Sequence, residues 1–588
     1  MLKKLLIALL VIGAIAGGAL YYVSHSPTFT VELPEYQKPG ELVQLQQGWS
    51  DAQRVQFHYT SQGTRLVPYP WLMALEQPCF SLGACDSFVE PQYLGRFGFL
   101  AGTADPNLNP GNLPVGFAYQ KDFFDPTTGQ TGEAVGLTCA ACHTGELYYG
   151  KYAVRVDGAP AMVDVTAFQK ALGLSVVFTK YVPFRYARFE DKVLGANASD
   201  ADKAKLKAAF NGFLDAAKAE VATTDKLNIY PHSAGFIRTD ALTRIGNQVF
   251  AVDMKVDANF AVANAPVRFP QIWDASWFNW VQYNSSISDP TVRNVGEALG
   301  VRAMLKAYGP DAAKFENSVH IEGLRTLEGL LRGDAPYKGL TSPAWPSVFP
   351  AIDKAKADKG AALYKQHCQG CHFPSIPELV ADLNSPKPLY WGSSEGNKYL
   401  MVHDIPVEKV ATDPHEAMDF IARTADTGDL KLGRLSAALG LQTVTEAIAS
   451  KFYTKAGYST EQGNAQNGYK DPNYKPVRAL PIYKARPLNG IWAVAPYLHN
   501  GSVPNLDLLL SEQKERPAKF YLGTRTYDPV KVGYDYSALK GGYEFDVTLP
   551  GNNNAGHEFT NDKSKKGVLG PAFSAEDRAA LIEYLKTL

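Results

Sequence analysis

The chain has 588 residues, 45% of them hydrophobic, which is enough to bury the cores of about two to four ordinary domains. Its 58 basic and 59 acidic side chains nearly cancel to a formal net charge of -1, which excludes a general electrostatic attraction to nucleic acid or another polyanion. Aromatic residues make up 12%, a content that suits apolar cofactor pockets and large cores alike.

Lys3 and Lys4 precede an uncharged apolar run, Leu5 to Val23, long enough as a helix to cross a hydrocarbon core with the lysines left in the cytoplasm. Residues 1–25 are therefore expected to be a membrane anchor or a signal peptide, the small residues Gly17 to Ala19 marking a cleavage site in the second case. Either way the remainder is exported, which predicts a periplasmic or other extracytoplasmic location. Pro27, Pro34, Pro39 and Gly40 punctuate residues 26–40 as a tether, and folded structure is expected from Glu41.

Residues 77–130 and 520–556 are rich in Gly, Pro, Asn and Asp and read as long irregular loops. Leu206, Phe210, Phe213 and Leu214 fall at helical spacing between Asp202 and Ala222, and 319–332 and 435–451 also read as helices. The proline-punctuated stretch from Thr341 sets a domain boundary near Pro350, dividing 41–350 from 351–588. At the end, Ser574 and Asp577 cap a helix whose Leu581, Tyr584, Leu585 and Leu588 share one face. The expected fold is mainly α, in two domains with large irregular connections.

Cys139 and Cys142 are followed at once by His143, and Cys368 and Cys371 at once by His372. The spacing C-x-x-C-H is what covalent haem demands: two thiols bond the vinyl groups and the adjacent imidazole reaches the iron. Zinc knuckles and dithiol centres also use C-x-x-C, but neither needs a following histidine, and paired zinc knuckles lie about 15 to 20 residues apart. These two lie over two hundred apart. Haem is attached outside the cytoplasm, in agreement with the export signal. Two covalent haems c are thus expected, held by Cys139, Cys142, His143, Cys368, Cys371 and His372. Cys79 and Cys85 remain, and an oxidising compartment predicts a local disulfide, two free buried thiols being the alternative.

Five segments resemble the diheme cytochrome c peroxidase superfamily, and within it the rubber oxygenase type. They are QGWSDAQRVQFHYTSQGT from Gln47, GLTCAACHTG from Gly136, RNVGEALG from Arg293, KARPLNGIWAVAPYLHNGSVPNL from Lys484 and GNNNAGHEFT from Gly551. The C-terminal half alone, with a helix before its motif and another at its end, resembles small class I cytochromes c. The resemblance implies one haem that meets oxidant and another that stores or delivers electrons, with calcium between the domains in some relatives. It nominates His557 as the second iron ligand of the C-terminal haem, ahead of Met401 and Met418, which as methionines also suit core positions. His499, beside the turn signal Asn500-Gly501, reads as shaping a loop.

For the first haem neither His232 nor Met254 has a supporting motif, which predicts an open iron site. Such a site benefits from a distal acid or base, for which Glu297 is the candidate, with Arg293 one turn earlier to stabilise negative charge. An ion pair of these two on a helix surface is the alternative. Trp273, Trp277 and Trp280 are candidates for the inter-haem electron relay common in the superfamily, or for core packing.

Three functions compete. One is a peroxidase-like oxidoreductase taking peroxide or oxygen, with a small redox protein as electron donor. The second is an oxygenase that cleaves an apolar polymer such as polyisoprene, and the third is a carrier with two closed haems.

Overall fold

The computed structural model describes residues 26, 28–459, 462 and 468–588. The apolar run from Leu5 to Val23 lies outside them, and among the described residues no helix is long and apolar enough to cross a membrane. The expectation of a mainly α fold is corrected: the described residues are mixed, 37% helical and 17% strand. Many of the strands escaped notice because they are only two to four residues long, where period-2 alternation carries little signal; the longer hairpin of Phe117–Asp125 and Gln130–Leu137 was masked by its Gly-, Asp- and Thr-rich turn.

Both regions read as loops contain such strands. Phe117–Asp125 pairs antiparallel with Gln130–Leu137. Asp125 forms the connecting turn by accepting from the Thr127 amide (2.8 Å), and Gly129 takes the left-handed φ of +70° that closes it. Lys519–Leu522 pairs with Tyr543–Asp546, and Tyr527–Asp528 with Gly533–Tyr534.

The expected helices form. Asp200–Lys226 is capped by Ser199 and buries Leu206, Phe210 and Leu214. Ile321–Arg332 and Ala437–Ala456 follow, the latter capped by Ser436 and ended by Gly457 at φ +69°. The last helix, Ala575–Leu585, starts at Ser574, whose hydroxyl accepts from the Asp577 amide (3.1 Å).

The tether lies along the folded body: Phe29 and Val31 pack on Leu174, Phe178 and Val182, and Arg96 donates to the carbonyls of Leu33 and Pro34 (both 3.0 Å). Across Pro350 the packing is continuous. The larger core joins Trp49 and Phe57 to Trp492, Phe545 and Leu581. Trp345 meets Trp492 edge-on at 5.3 Å, and Phe349 stacks on Tyr527 at 5.4 Å. A second core collects Phe250, Trp280 and Val295 with Leu400, Val444 and Ile448.

The two C-x-x-C-H motifs are presented differently. The first lies between the strands Gln130–Leu137 and Thr144–Tyr149. The second follows the helix Lys354–His367, which crosses the C-terminal helix so tightly that a Cβ on Gly360 would lie 2.0 Å from the Ala580 carbonyl oxygen. The crossing therefore requires glycine, and Tyr364 meets Tyr584 beside it at 5.2 Å between ring centres.

Candidate haem-binding sites

Each motif folds as one tight turn. The amides of Cys142 and His143 donate to the Cys139 carbonyl (3.2 and 3.0 Å), and those of Cys371 and His372 to the Cys368 carbonyl (3.0 and 2.9 Å). None of the four cysteines is in a disulfide. Burial pushes the Cys139, Cys142 and Cys368 thiols up to about 12, the opposite of what a reactive thiolate centre needs. Each imidazole is oriented by a peptide carbonyl: His143 Nδ1 donates to Pro270 (2.8 Å) and His372 Nδ1 to Arg486 (3.0 Å). A carbonyl only accepts, so Nδ1 carries the proton and Nε2 is left bare as a metal ligand. Burial lowers the affinity of both rings for a second proton, His143 to about 4.

On the other side of the second motif stands His557, its ring centre 6.2 Å from that of His372. Two imidazoles sharing one metal need about 2 Å per metal–nitrogen bond, plus about 1 Å from each nitrogen to its ring centre, so the spacing suits an iron between them. The backbone builds this placement. The His557 amide donates to the Val410 carbonyl (2.9 Å), and the Arg516 guanidinium gathers the carbonyls of Gly556 (2.9 Å) and His557 (3.1 Å). Gly556, at φ +73°, approaches Ala411 so closely that a Cβ would lie 2.3 Å from its carbonyl carbon. Burial, His372 and Arg516 together hold His557 down at about 3. The methionine alternatives go elsewhere: the Met401 sulfur packs against Gly392, and Met418 is 43% exposed.

Among the described residues no imidazole faces His143 in this way; the ring beside it is Phe269, edge-on at 6.3 Å. Met254 is a core residue and His232 lies by Pro550. The helix Pro290–Gly300, capped by the Asp289 carboxylate, instead brings Glu297 to the first thiol pair, where its charge acts on both Cys139 and Cys142. Burial raises the Glu297 carboxyl, and Gln282 donates to it (3.1 Å). Arg293 does not pair with Glu297 on a surface: it is buried and bonded to Glu328, which also accepts from Asn294 (3.0 Å).

Four further polar side chains cluster nearby. Arg268 Nε, Arg486 Nε and Tyr283 Oη are buried without a hydrogen-bond partner, and the Arg268 charge acts on His143. Lys484 adds an ammonium group that burial and Arg486 push well below its ordinary range. Orphaned donors and excess buried positive charge fit a ligand carrying carboxylates, as the porphyrin of haem does. Sequence reasoning missed this cluster, although two cations inside the apolar KARPLNGIW segment were the available signal.

The three tryptophans part company. The Trp273 indole, fully buried, donates to the Asn489 carbonyl (3.0 Å), and its peptide lies in the segment that begins with Pro270, the His143 acceptor. Trp277 donates to the Arg332 carbonyl (2.7 Å), with the Arg332 guanidinium 4.4 Å over its ring. Trp280 lies under Arg478 at 3.9 Å, within the second core. His499 stacks on Tyr483 at 4.3 Å, while the neighbouring Asn500 ties its turn to the Gly551 and Asn553 carbonyls.

Cys79 and Cys85 form a disulfide with Cα atoms 6.3 Å apart, in a loop whose carbonyls accept from Arg185 and Arg188. Among the described residues no three His, Cys, Asp or Glu side chains converge as a cage for a metal ion.

Residues 482–521 match the family described as RoxA-like, cytochrome c-like. That stretch contains the Arg486 carbonyl that orients His372, the Asn489 carbonyl that holds Trp273 and the His499 turn. The match supports, at a coarse level, a cytochrome c-like haem oxidoreductase of the rubber oxygenase type. The uncharacterized protein y4iJ of Sinorhizobium fredii (strain NBRC 101917 / NGR234) is 44% identical over 596 residues, 98% of this chain and 97% of that one. A second uncharacterized protein of the same strain, y4iM, is 26% identical over 334 residues, 54% of this chain and 63% of the other.

Proposed function

Because the chain belongs to the family of the Sinorhizobium fredii protein y4iJ and carries a RoxA-like segment within it, we propose that it is a diheme c-type cytochrome oxidoreductase. In this reading Cys139, Cys142 and His143 would hold a haem that is open to peroxide or oxygen, and Cys368, Cys371 and His372 would hold one that supplies electron transfer. The observation that carries it is the asymmetry of the two sites: His557 faces His372, whereas the first thiol pair has the acid Glu297 within electrostatic reach.

Each haem, when bound, supplies a one-electron redox centre, and an iron with a free position also binds an oxygen ligand. The remaining chemistry belongs to side chains. His372 and His557 would hold the second iron, and two such imidazole ligands would favour electron transfer over ligand binding. At the first site Glu297, its carboxyl raised by burial, is suited to give or take a proton at its Oε atoms. Arg293, neutralised by Glu328, fixes the helix that carries Glu297. Arg268, Tyr283 and Lys484 would receive porphyrin carboxylates, and Trp273 would serve as the relay between the sites. A small redox protein outside the cytoplasm supplies electrons.

The RoxA-like match favours, as a second reading, oxygen-dependent cleavage of an apolar chain at the first site. Intact mass of protein from a host competent in haem attachment should exceed the polypeptide by two haems. Rapid mixing of the reduced protein with peroxide and with oxygen should change the spectrum of one haem first. Oxygen uptake on a polyisoprene emulsion would select the second reading. Two haems inert to all three reagents would leave an electron carrier and contradict the proposal.

A further inference from the structure

His143 and His372 lie in different parts of the sequence, yet their acceptors belong to one hydrogen-bonded unit. His143 Nδ1 donates to the carbonyl of Pro270 (2.8 Å). The next carbonyl, of Gln271, accepts from Arg486 Nη1 (2.7 Å), and that of Trp273 accepts from Arg486 Nη2 (2.8 Å). The carbonyl of the same arginine accepts from His372 Nδ1 (3.0 Å). One residue thus orients one imidazole through its backbone and clamps, through its side chain, the segment that orients the other.

A second rivet lies beside the clamp, where the Asn489 peptide carbonyl accepts the Trp273 indole proton (3.0 Å) and the Asn489 side-chain Nδ2 donates to the Asp274 carboxylate (2.6 Å). Burial lowers Arg486 to about 10, with Asp274 acting in the opposite sense, and Phe278 covers the guanidinium at 4.9 Å. The planar fork is needed here, because two nearly parallel donors must reach two carbonyls of one irregular segment, those of Gln271 and Trp273.

We propose that Arg486 is a positioning residue that joins the two proximal histidines into a single mechanical unit, so that the properties of both irons are set together. The inference rests on the two-haem reading above. A proximal imidazole bonded to a carbonyl is a stronger electron donor to iron, which favours the oxidised state. Loosening the clamp should therefore raise the reduction potential at both sites.

Arg486→Lys tests this, since it keeps the charge and removes the fork. The expected result is an upward shift of both midpoint potentials in a redox titration of protein carrying two haems by mass. A shift at one haem alone, or unchanged potentials with only a lower melting temperature, would overturn the proposal. Should that variant fail to accumulate, Arg486→Gln is examined by electron paramagnetic resonance, where altered signals from both ferric irons are expected and an alteration confined to one overturns it. A wild-type protein holding fewer than two haems would sink the two-haem reading itself, and is distinguished by mass before any titration.

Discussion

The two C-x-x-C-H regions share one local geometry and differ in nearly everything around it. Both close the same turn on the first cysteine carbonyl and both bond Nδ1 of the histidine to a peptide carbonyl. The first is held between strands and has a half-buried carboxylic acid within electrostatic reach; the second is held by crossing helices and has another imidazole opposite. On the proposed reading, the motif fixes where a haem would be attached, while distant segments decide what its iron could do: residues 290–300 for one site, residues 551–560 for the other.

The largest effect expected on that comparison comes from His557→Ala. It should turn the second haem from low-spin to high-spin and leave the first unchanged, as read by optical and paramagnetic resonance spectra. An unaltered spectrum removes His557 as a ligand and erases the difference between the sites.

Next comes Glu297→Gln, which should slow the reaction with peroxide or oxygen by roughly a hundredfold or more without disturbing the second haem. Burial keeps the Glu297 carboxyl protonated to higher pH than an ordinary carboxylic acid. If it acts as a base, the wild-type rate rises as pH passes its raised pKa, and that inflection disappears in the variant. A wild-type rate and profile in Glu297→Gln would leave the residue without a catalytic role.

The smallest effect is structural. Gly360→Ala pushes a methyl into the Ala580 carbonyl and should cost about 1–3 kcal/mol, read as a lower denaturation midpoint. The account expects the loss to concentrate in the helical site, so retention of the second haem should fall before that of the first. Equal loss at both sites would show that this helix crossing does not serve the second site in particular.

The haem motifs were legible because the chemistry needs contiguous residues, and the C-terminal helix because Ser574 and its apolar face are local signals. His557 was nominated by likeness rather than by pattern: its placement depends on Val410, Gly556 and Arg516, which no spacing rule connects. The strand content was not legible. Lys519–Leu522 and its partner Tyr543–Asp546 are each four residues long and lie in a Gly- and Asp-rich stretch, where only the pairing makes them strands. Likewise Glu328, the ion partner of Arg293, is 35 positions away and could not be read from the helix that carries the arginine. Arg486 shows the same limit, since its acceptors lie more than two hundred positions earlier in the chain.

The difference between the two irons can be read directly from the electron paramagnetic resonance spectrum of the fully oxidised protein, recorded before and after adding cyanide. Two ferric irons should be present, one low-spin and indifferent to cyanide, the other converted by it. Two low-spin signals that both ignore cyanide, or a single iron, would contradict the account.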